Sequence, residues 1–270
     1  MPTRTKEQVR NHYEVERALA DKLRKSNREE RKLLFRVMYD ELFEKVPDHP
    51  RLTKRSNPEI NLKRNRNKIK MVRNLLSERT VFAEFAPGDC EFCFYVADHV
   101  QQVYGMDISD QADPNWVRPD NFELIVYDGY DLNMPSGTVN VIFSDQFIEH
   151  LHPEDVPEHY ALAHQLLARG GKYSFRYPHI YRGPEDISRF FTDTPTGFHL
   201  NENTFTATVE QLKIANFSHY QCYWFLYGIR VPIPFGVFRM TERLFKNVPA
   251  QFRRRIAPFL FPTVHVVATK

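Results

Sequence analysis

The chain has 270 residues, 37 Lys and Arg, 34 Asp and Glu, and a formal net charge of +3 at pH 7. This length can bury a substantial core and fits one α/β domain with appendages better than two full domains. Three cysteines argue against a disulfide framework. The sequence has no run of 18 apolar residues and no segment typical of a signal peptide, so we expect a reducing, cytoplasmic setting.

Charge is distributed unevenly along the chain. Residues 1–80 hold 22 Lys and Arg against 12 Asp and Glu, a net charge of +10, whereas residues 81–270 hold 15 against 22, a net charge of −7. We therefore divide the chain into a basic arm and an acidic domain. The arm is either a helical cap with a solvated outer face or a nucleic-acid-binding element. Residues 51–80 contain no aromatic side chain for base stacking, which favours the cap.

The arm is predicted to be helical. Apolar residues recur at helical spacing over residues 15–46, and Ser26 with Glu29 is the predicted capping box of the second half of this stretch. Asn57 as N-cap and Pro58 at the first helical position predict another helix. One face of that helix is apolar: Ile69, Val72, Leu75 and Leu76.

The segment that follows the arm predicts a nucleoside-binding half-site. Residues 81–85 predict a strand, Gly88 lies in a tight turn, and a second strand ends at Asp107, 23 residues after Glu84. An acid at this offset accepts the ribose hydroxyls of a nucleoside bound over the first turn. The turn lacks the G-x-G-x-x-G pattern of dinucleotide sites, and Glu84 would repel a diphosphate but not a cationic ligand.

This segment resembles the first two motifs of the class I S-adenosylmethionine-dependent methyltransferases, in which an acid precedes alternating glycines and a second acid holds the ribose. Ala86 and Cys90 stand at two of the three glycine positions. The resemblance implies S-adenosyl-L-methionine as the cofactor, methyl transfer as the activity, and a Rossmann-like doubly wound sheet that is mostly parallel with an antiparallel last strand. It also implies a set of cofactor-binding residues: Glu84, Ala86, Gly88, Asp107, Ile108, Asp128, Gly129 and Asp145.

Three further segments resemble this family in the expected order. Residues 122–129 resemble the strand whose terminal acid, here Asp128, receives the adenine amino group. Residues 138–151 resemble the fourth strand and its Glu-His post-motif, and residues 166–178 resemble the leucine-rich helix, Gly-Gly stop and fifth strand. Gly170 is predicted to be the C-cap of that helix. Residues 263–268 are predicted to form the last strand, antiparallel to strand six.

Two loop segments after the fifth strand resemble motifs of small-molecule methyltransferases, Gly-Pro-x-Asp-Ile-Ser-Arg and Gly-x-His-Leu-x-Glu. Ligands of doubly wound sheets bind outside the carboxyl ends of the strands. We therefore predict that Asp186, Arg189 and His199 contact the methyl acceptor. The alternative is structural: an ion pair between Asp186 and Arg189, with Asn201 or Asn203 as the N-cap of the next helix.

His150 is the first candidate for the general base, because its unperturbed pKa lies near neutrality and it follows the fourth strand. His199 is the second candidate. The alternative for His150 is a packed, hydrogen-bonded side chain. No metal site is predicted, because Cys90-x-x-Cys93 has no second Cys or His pair at ligand spacing, and both thiols are expected to pack inside the first helix.

An insertion at residues 229–262, predicted to be helical, is rich in proline, aromatic and basic residues. It is either a lid or oligomer contact, or a peripheral membrane contact. The predicted partner is a small-molecule acceptor, and nucleic acid is less favoured; the oligomeric state stays open. Two other functions also remain open: an RNA methyltransferase that uses the basic arm, and a non-catalytic interaction protein that keeps the fold.

Overall fold

The computed structural model describes residues 4–54 and 58–270. The predicted N-cap Asn57 lies outside the described residues, but the helix that it precedes does begin at Pro58. Within the described ranges, no helix is both long enough and apolar enough to cross a lipid bilayer.

A single eight-stranded sheet organises the fold. In sheet order the strands are β3, β2, β1, β4, β5, β8, β6 and β7. In chain order they are β1 (Val81–Phe85), β2 (Gln102–Asp107), β3 (Phe122–Val126), β4 (Val139–Asp145), β5 (Leu167–Tyr177), β6 (His219–Leu226), β7 (Ile229–Ile233) and β8 (Val264–Thr269). Strands β1 to β5 pair in parallel, and β8 is antiparallel to both β5 and β6. The predicted Rossmann-like sheet, including its antiparallel last strand, is confirmed.

Helices cover both faces of this sheet. They are α1 (Lys6–Lys25), α2 (Arg28–Lys45), α3 (Pro50–Lys54), α4 (Pro58–Val72), α5 (Glu91–Ala97), α6 (Val156–Leu166), α7 (Phe205–Ile214), α8 (Phe235–Phe245) and α9 (Ala250–Leu260). Successive strand residues point to opposite faces. Phe82 therefore packs with α4 and α5, whereas Phe85 packs with α6 and α7. A third apolar cluster joins α1 and α2 to Phe198 in a loop of the acidic domain.

Two predicted helix caps are wrong by one to three residues. Asn27 and Glu30, not Ser26 and Glu29, form the capping box of α2, because Ser26 instead donates its hydroxyl to the carbonyl of Leu23 and ends α1. Helix α7 is capped by Thr204, not by Asn201 or Asn203. In both cases the capping residue is the one with extended backbone directly before the helix.

The predictions for Gly170 and for the insertion are also corrected. Helix α6 ends at Leu166 and β5 begins at the next residue, so Gly170 lies inside the strand. Its φ of 76° falls where the pairing of β4 with β5 shifts register, which is typical of a bulge. The insertion is not wholly helical, since its first five residues form β7, which pairs antiparallel with β6.

Candidate active site

The turn after β1 keeps a glycine-like backbone at all three family glycine positions. Ala86, Gly88 and Cys90 have φ values of 52°, 61° and 59°, respectively, in the left-handed region. A non-glycine residue costs roughly 1–2 kcal/mol in this conformation. The chain therefore keeps the shape of the turn although two of its glycines are replaced.

Asp107, at the end of β2, lies against this turn. Its Oδ2 accepts the backbone N–H of Gly88 at 3.0 Å, and its Oδ1 accepts that of Ile108 at 2.7 Å. Burial raises the pKa of Asp107, and these backbone donors oppose the rise. A buried acid beside a turn at the carboxyl end of β1 is the arrangement that receives a ribose in doubly wound sheets.

Asp128 and Gly129 follow the neighbouring strand β3. Asp128 Oδ1 accepts the backbone N–H groups of Tyr130 and Asp131, and Oδ2 lies 3.1 Å from Lys32 Nζ of α2. Although burial opposes it, these donors hold the pKa of Asp128 at about 2. Asp128 is therefore a fixed carboxylate on the same edge of the sheet as Asp107, because Asp107 pairs with the last residue of β3.

Glu84 and Asp145 are held by cations instead. Glu84 is 1% exposed, and its carboxylate accepts from Lys68 Nζ and from Cys93 Sγ, each at 3.2 Å. Asp145 forms two hydrogen bonds of 2.7 Å with the guanidinium of Arg176. Glu84 and Asp145 each lie two residues after a phenylalanine, Phe82 or Phe143, that packs with α4 and α5, so both acids point to that face of the sheet. Both thiols of the Cys90-x-x-Cys93 pair are buried.

Arg51, a residue of α3, was not among the predicted site residues. A Cβ added to Gly88 would lie 3.2 Å from Arg51 Nη2, so the guanidinium packs onto the turn. It also lies over the ring of Tyr39, 5.2 Å from the centroid. Burial dominates the pKa of both Asp107 and His150, and the charge of Arg51 lowers each of them. Arg51 therefore packs on the turn and is near enough to His150 for its charge to act there.

Glu149, His150 and His199 form a second cluster at the carboxyl end of β4. Each offers one ligand atom, and these atoms lie within 4.8 Å of one another. The rings of His150 and His199 meet edge to face, with centroids 5.0 Å apart. Glu149 is fully buried, and neither of its carboxylate oxygens has a hydrogen-bond partner among the described residues. Glu149 directly precedes His150, a predicted site residue, but was not itself predicted to belong to the site.

The pKa values of this cluster differ strongly. Burial raises the pKa of Glu149 to about 8. Burial and the charge of His199 lower the pKa of His150 to about 3. Burial also opposes the charged form of His199, but Glu202 and Glu149 together raise its pKa to about 8. The two histidines thus have opposite electrostatic environments: the surroundings of His150 disfavour its charged form, and those of His199 favour it.

Asp186 and Arg189 have different surroundings in the structure. Asp186 Oδ1 accepts the backbone N–H of Ser188 at 3.0 Å, and Oδ2 accepts that of His199 at 3.3 Å. Arg189 is exposed, with its guanidinium 4.7 Å from the ring centroid of Phe190. The alternative ion pair between Asp186 and Arg189 is not formed. Asp186 supports the loop that carries His199, whereas Arg189 faces solvent.

The arm holds the same loop in place. Arg24 of α1 donates to the carbonyl oxygens of Thr196 and Gly197 at 3.0 and 2.8 Å. Glu16 Oε1 accepts the backbone N–H of Phe198 at 2.9 Å. Helix α1 therefore fixes the backbone of the three residues that precede His199.

Comparison with known proteins agrees with this geometry. Residues 83–175 match the family described as a methyltransferase domain. No curated protein matches the chain. An S-adenosylmethionine-dependent methyltransferase from Archaeoglobus fulgidus is 15% identical, with a TM-score of 0.52 over 76% of this chain and 92% of that one. A methyltransferase of the same description from Mesorhizobium loti is 16% identical, with a TM-score of 0.50 over 76% and 98%.

A third similar structure contains ligands. Phosphoethanolamine N-methyltransferase 1 from Haemonchus contortus, in complex with phosphoethanolamine and S-adenosylhomocysteine, is 13% identical, with a TM-score of 0.57 over 90% of this chain and 50% of that one. At these identities the likeness establishes the fold. Within that fold, residues 83–175, from β1 into β5, carry the match to a methyltransferase domain.

Proposed function

We propose that this chain transfers the methyl group of S-adenosylmethionine to a small-molecule acceptor. The observation that carries the proposal is the contact between Asp107 and the Gly88 turn, because it combines a buried ribose acceptor with the left-handed turn of the family. The residues fit the cofactor: Asp107 would accept the ribose hydroxyls, Ile108 and Gly129 would border the adenine, and Asp128 would accept its amino group. The bound cofactor supplies an electrophilic methyl group on a sulfonium.

Arg51 extends this assignment to the other end of the cofactor. Its guanidinium lies on the Gly88 turn, on the side of His150. A cation would be unfavourable beside a sulfonium but favourable beside the carboxylate of the cofactor's methionine. We therefore assign Arg51 to that carboxylate, and expect Arg51→Met to weaken cofactor binding by roughly 10-fold, about 1.4 kcal/mol.

The acceptor is assigned to the cluster of Glu149, His150 and His199. It follows β4, and the charge of Arg51 acts on both His150 and Asp107, so the cluster and the cofactor residues are near the same guanidinium. In each histidine, Nδ1 already forms a hydrogen bond with an oxygen atom of the protein. Nε2 is therefore the ring nitrogen that can contact the methyl acceptor. The protein's main task is alignment, because methyl transfer is a direct displacement that needs no covalent enzyme intermediate.

The contacts of the arm support a cap rather than a nucleic-acid-binding element. Several of its cations pair with acids of the catalytic domain: Arg28 with Glu158, Arg31 with Asp155, Lys32 with Asp128, Arg64 with Glu91 and Lys68 with Glu84. Cations that are paired in this way are not available to bind the phosphates of a nucleic acid and so to release its counterions. The arm instead covers the cofactor edge, where Phe35 of α2 meets Gly129.

The test is to incubate the full chain with methyl-labelled S-adenosylmethionine and a metabolite extract, and to identify the labelled product. We expect label in a small molecule. His150→Ala and His199→Ala should each lower turnover, while cofactor affinity measured by calorimetry stays within about 2-fold of wild type. Label found only in RNA would favour the nucleic-acid function, and a chain that binds the cofactor but labels nothing would favour the non-catalytic one.

A further inference from the structure

Glu149 is an acidic residue buried in an unfavourable environment. Its side chain is fully buried, four residues after the end of β4, and within the described part of the chain neither carboxylate oxygen has a hydrogen-bond partner on another residue. A buried carboxylate without a partner is costly, and such groups in proteins are normally paired or coordinated to a metal. One imidazole nitrogen of His150 and one of His199 lie within 4.8 Å of a carboxylate oxygen of Glu149.

Both imidazoles are oriented as metal ligands are. His150 Nδ1 lies 3.1 Å from the carbonyl oxygen of Phe198, and His199 Nδ1 lies 2.6 Å from Glu202 Oε1. Because a carbonyl only accepts, His150 carries its proton on Nδ1 and keeps a lone pair on Nε2. The carboxylate of Glu202 holds the Nδ1 proton of His199, so an ion that binds at Nε2 displaces the second proton of the charged ring. A histidine that binds a metal through one nitrogen almost always donates the other N–H to a carbonyl or carboxylate.

We propose that Glu149, His150 and His199 bind one divalent transition-metal ion, through a carboxylate oxygen and two Nε2 atoms. Two imidazoles and a carboxylate suit an ion of the Zn²⁺ type better than Mg²⁺ or Ca²⁺, which prefer oxygen ligands. Metal bonds of about 2.0–2.2 Å place ligand atoms roughly 3–3.5 Å apart, so atoms at the 4.8 Å limit would have to approach one another by about 1.3–1.8 Å.

The proposal rests on the proposed function, because the ion would lie on the acceptor side. Three protein ligands leave a coordination position open, as in catalytic zinc sites. An acceptor oxygen or nitrogen bound at that position would lose its proton more readily and would be fixed in place for alkylation. The ion would thus replace a general base.

The other His-Glu-His group of the described chain provides a matched control. Glu16 already uses both oxygens, accepting from His12 Nε2 and from the backbone of Phe198, each at 2.9 Å. The guanidinium of Arg4 lies 3.0 Å from His12 Nδ1, which places a positive charge beside the group. His12, Glu16 and His49 are therefore satisfied without an ion, although their ligand atoms are equally close.

The experiment titrates the metal-stripped full chain with Zn²⁺ against a chromophoric chelator, and repeats the titration with Co²⁺ to read its ligand-field absorption. We expect one tight site per chain. Glu149→Gln, which keeps the shape of the side chain, and His199→Ala should each weaken Zn²⁺ binding by about 100-fold, whereas His12→Ala should leave it unchanged. Circular dichroism of each variant identifies those that fold.

Equal Zn²⁺ affinity in wild type and folded Glu149→Gln would overturn the proposal, as would a loss of binding confined to His12→Ala. Cofactor binding is measured in parallel by calorimetry on the metal-free chain. A chain that binds S-adenosylmethionine but no Zn²⁺ refutes the metal site alone. A chain that binds Zn²⁺ but no S-adenosylmethionine refutes the proposed function and leaves the metal site standing.

A separate observation concerns the surface formed by β7, α8 and α9, which we call the insertion surface. It carries large exposed apolar side chains: Ile229, Val231, Val237, Met240, Leu244, Phe252, Ile256, Phe259 and Leu260. In α8 these follow an i, i+3, i+7 pattern and in α9 an i, i+4, i+7 pattern, so each helix presents one continuous apolar stripe. An exposed apolar stripe of this kind in a folded domain marks an interaction site.

Charge identifies the partner of the insertion surface. Residues 229–262 contain seven Lys and Arg and a single acid, Glu242. Glu242 is buried, where it accepts from His179 and from the backbone of Phe205 and Thr206. Arg239 and Arg243 are exposed beside the apolar stripe. We infer that this surface lies on an anionic lipid membrane, with the apolar side chains at the headgroup boundary and the cations on the headgroups.

Flotation of the full chain with vesicles tests this inference. We expect the chain to float with phosphatidylcholine vesicles that contain about 30% phosphatidylserine, and not with phosphatidylcholine alone. Leu244→Asp should abolish flotation, and Leu33→Asp, an equally exposed position on the arm, should not. Equal flotation of Leu244→Asp would overturn the inference. So would a chain that stays in solution and forms a dimer that Leu244→Asp dissociates, since a second copy would then cover the surface.

Discussion

Lys68 Nζ of α4 lies 3.2 Å from the carboxylate of Glu84 in β1, and this ion pair fastens the basic arm to the first strand of the sheet. Cys93 donates to the other carboxylate oxygen, so Glu84 is satisfied without contact with solvent. Part of the positive charge of the arm is thus neutralised by an acidic residue inside the protein.

Lys68→Met should destabilise the fold by about 3–5 kcal/mol, because it leaves the buried carboxylate of Glu84 without its cation. Adding Glu84→Gln should recover a large part of that loss, because the remaining group is then neutral. Urea unfolding measures both variants. Lys63→Met, an exposed position on α4, should change the free energy of unfolding by less than about 0.5 kcal/mol. Equal losses at positions 63 and 68 would show that the pair is not responsible.

Asp107→Ala should weaken S-adenosylmethionine binding by roughly 30- to 1000-fold, or about 2–4 kcal/mol, because charge-assisted hydrogen bonds to the ribose are lost. Calorimetric titration measures the affinity. Asp110→Ala is the control, since Asp110 is paired with Arg118 at the surface. Wild-type binding by Asp107→Ala would refute the ribose assignment.

Ala86→Gly should raise the free energy of unfolding by roughly 0.5–1 kcal/mol, because glycine adopts the left-handed conformation without strain. Cys90→Gly should give no such gain, although its φ is similar. The Cys90 side chain is fully buried against α5, and its removal loses packing that offsets the relieved strain. Thermal unfolding of both variants tests this contrast, and a larger gain from Cys90→Gly would contradict it.

The sheet could be predicted because its signals are local. Strands β1 to β4 are short apolar runs that end in a polar residue or a turn, and their order follows from the family pattern. Strand β7 could not be predicted in this way. Its sequence, Ile-Arg-Val-Pro-Ile, contains a proline that disfavours an interior strand, and only its edge position beside β6 accommodates that residue.

The site could be predicted only where it follows the strands. The sequence places Asp107 and Asp128 at neighbouring strand ends, and the structure has them on one edge of the sheet. Glu84 and Asp145 carry the same chemistry, but the side of the sheet on which each side chain lies, and the cation that meets it, depend on tertiary packing. Arg51 belongs to no motif, and the Glu-His post-motif that contains Glu149 does not specify the surroundings of its side chain. Contacts distant in sequence decide the position of both residues.

His159 should make the fold sensitive to acid. Its imidazole is buried against Phe85 and shares a hydrogen bond of 2.7 Å with Tyr173, and burial lowers its pKa to about 3. Between the unfolded pKa of about 6.5 and the folded value, the unfolded chain binds a proton that the folded chain does not, so stability falls as the pH falls. The loss from this residue approaches about 1.4 kcal/mol per pH unit.

His159→Gln should therefore show a shallower decline than wild type in urea unfolding measured at pH 7, 6 and 5. The difference should reach about 2 kcal/mol at pH 5, relative to the difference at pH 7. His219→Gln, at an exposed position, should follow the wild-type curve. Parallel curves for wild type and His159→Gln would show that His159 does not titrate in this way.

Gly197→Ala should impair the acceptor side selectively. A Cβ at this position would overlap Oε1 of Glu16 and lie 2.7 Å from Oδ2 of Asp186, the two carboxylate oxygens that hold the backbone around His199. We expect a loss of roughly 1–3 kcal/mol in stability from overpacking and at least about a 10-fold loss in kcat, because His199 shifts from its position. The affinity for S-adenosylmethionine should change by less than about 2-fold, since Asp107 and the Gly88 turn are untouched. Gly236→Ala is the control, because a Cβ there meets no atom within 4 Å. If Gly197→Ala kept the wild-type kcat, the loop that carries His199 would not belong to the acceptor site.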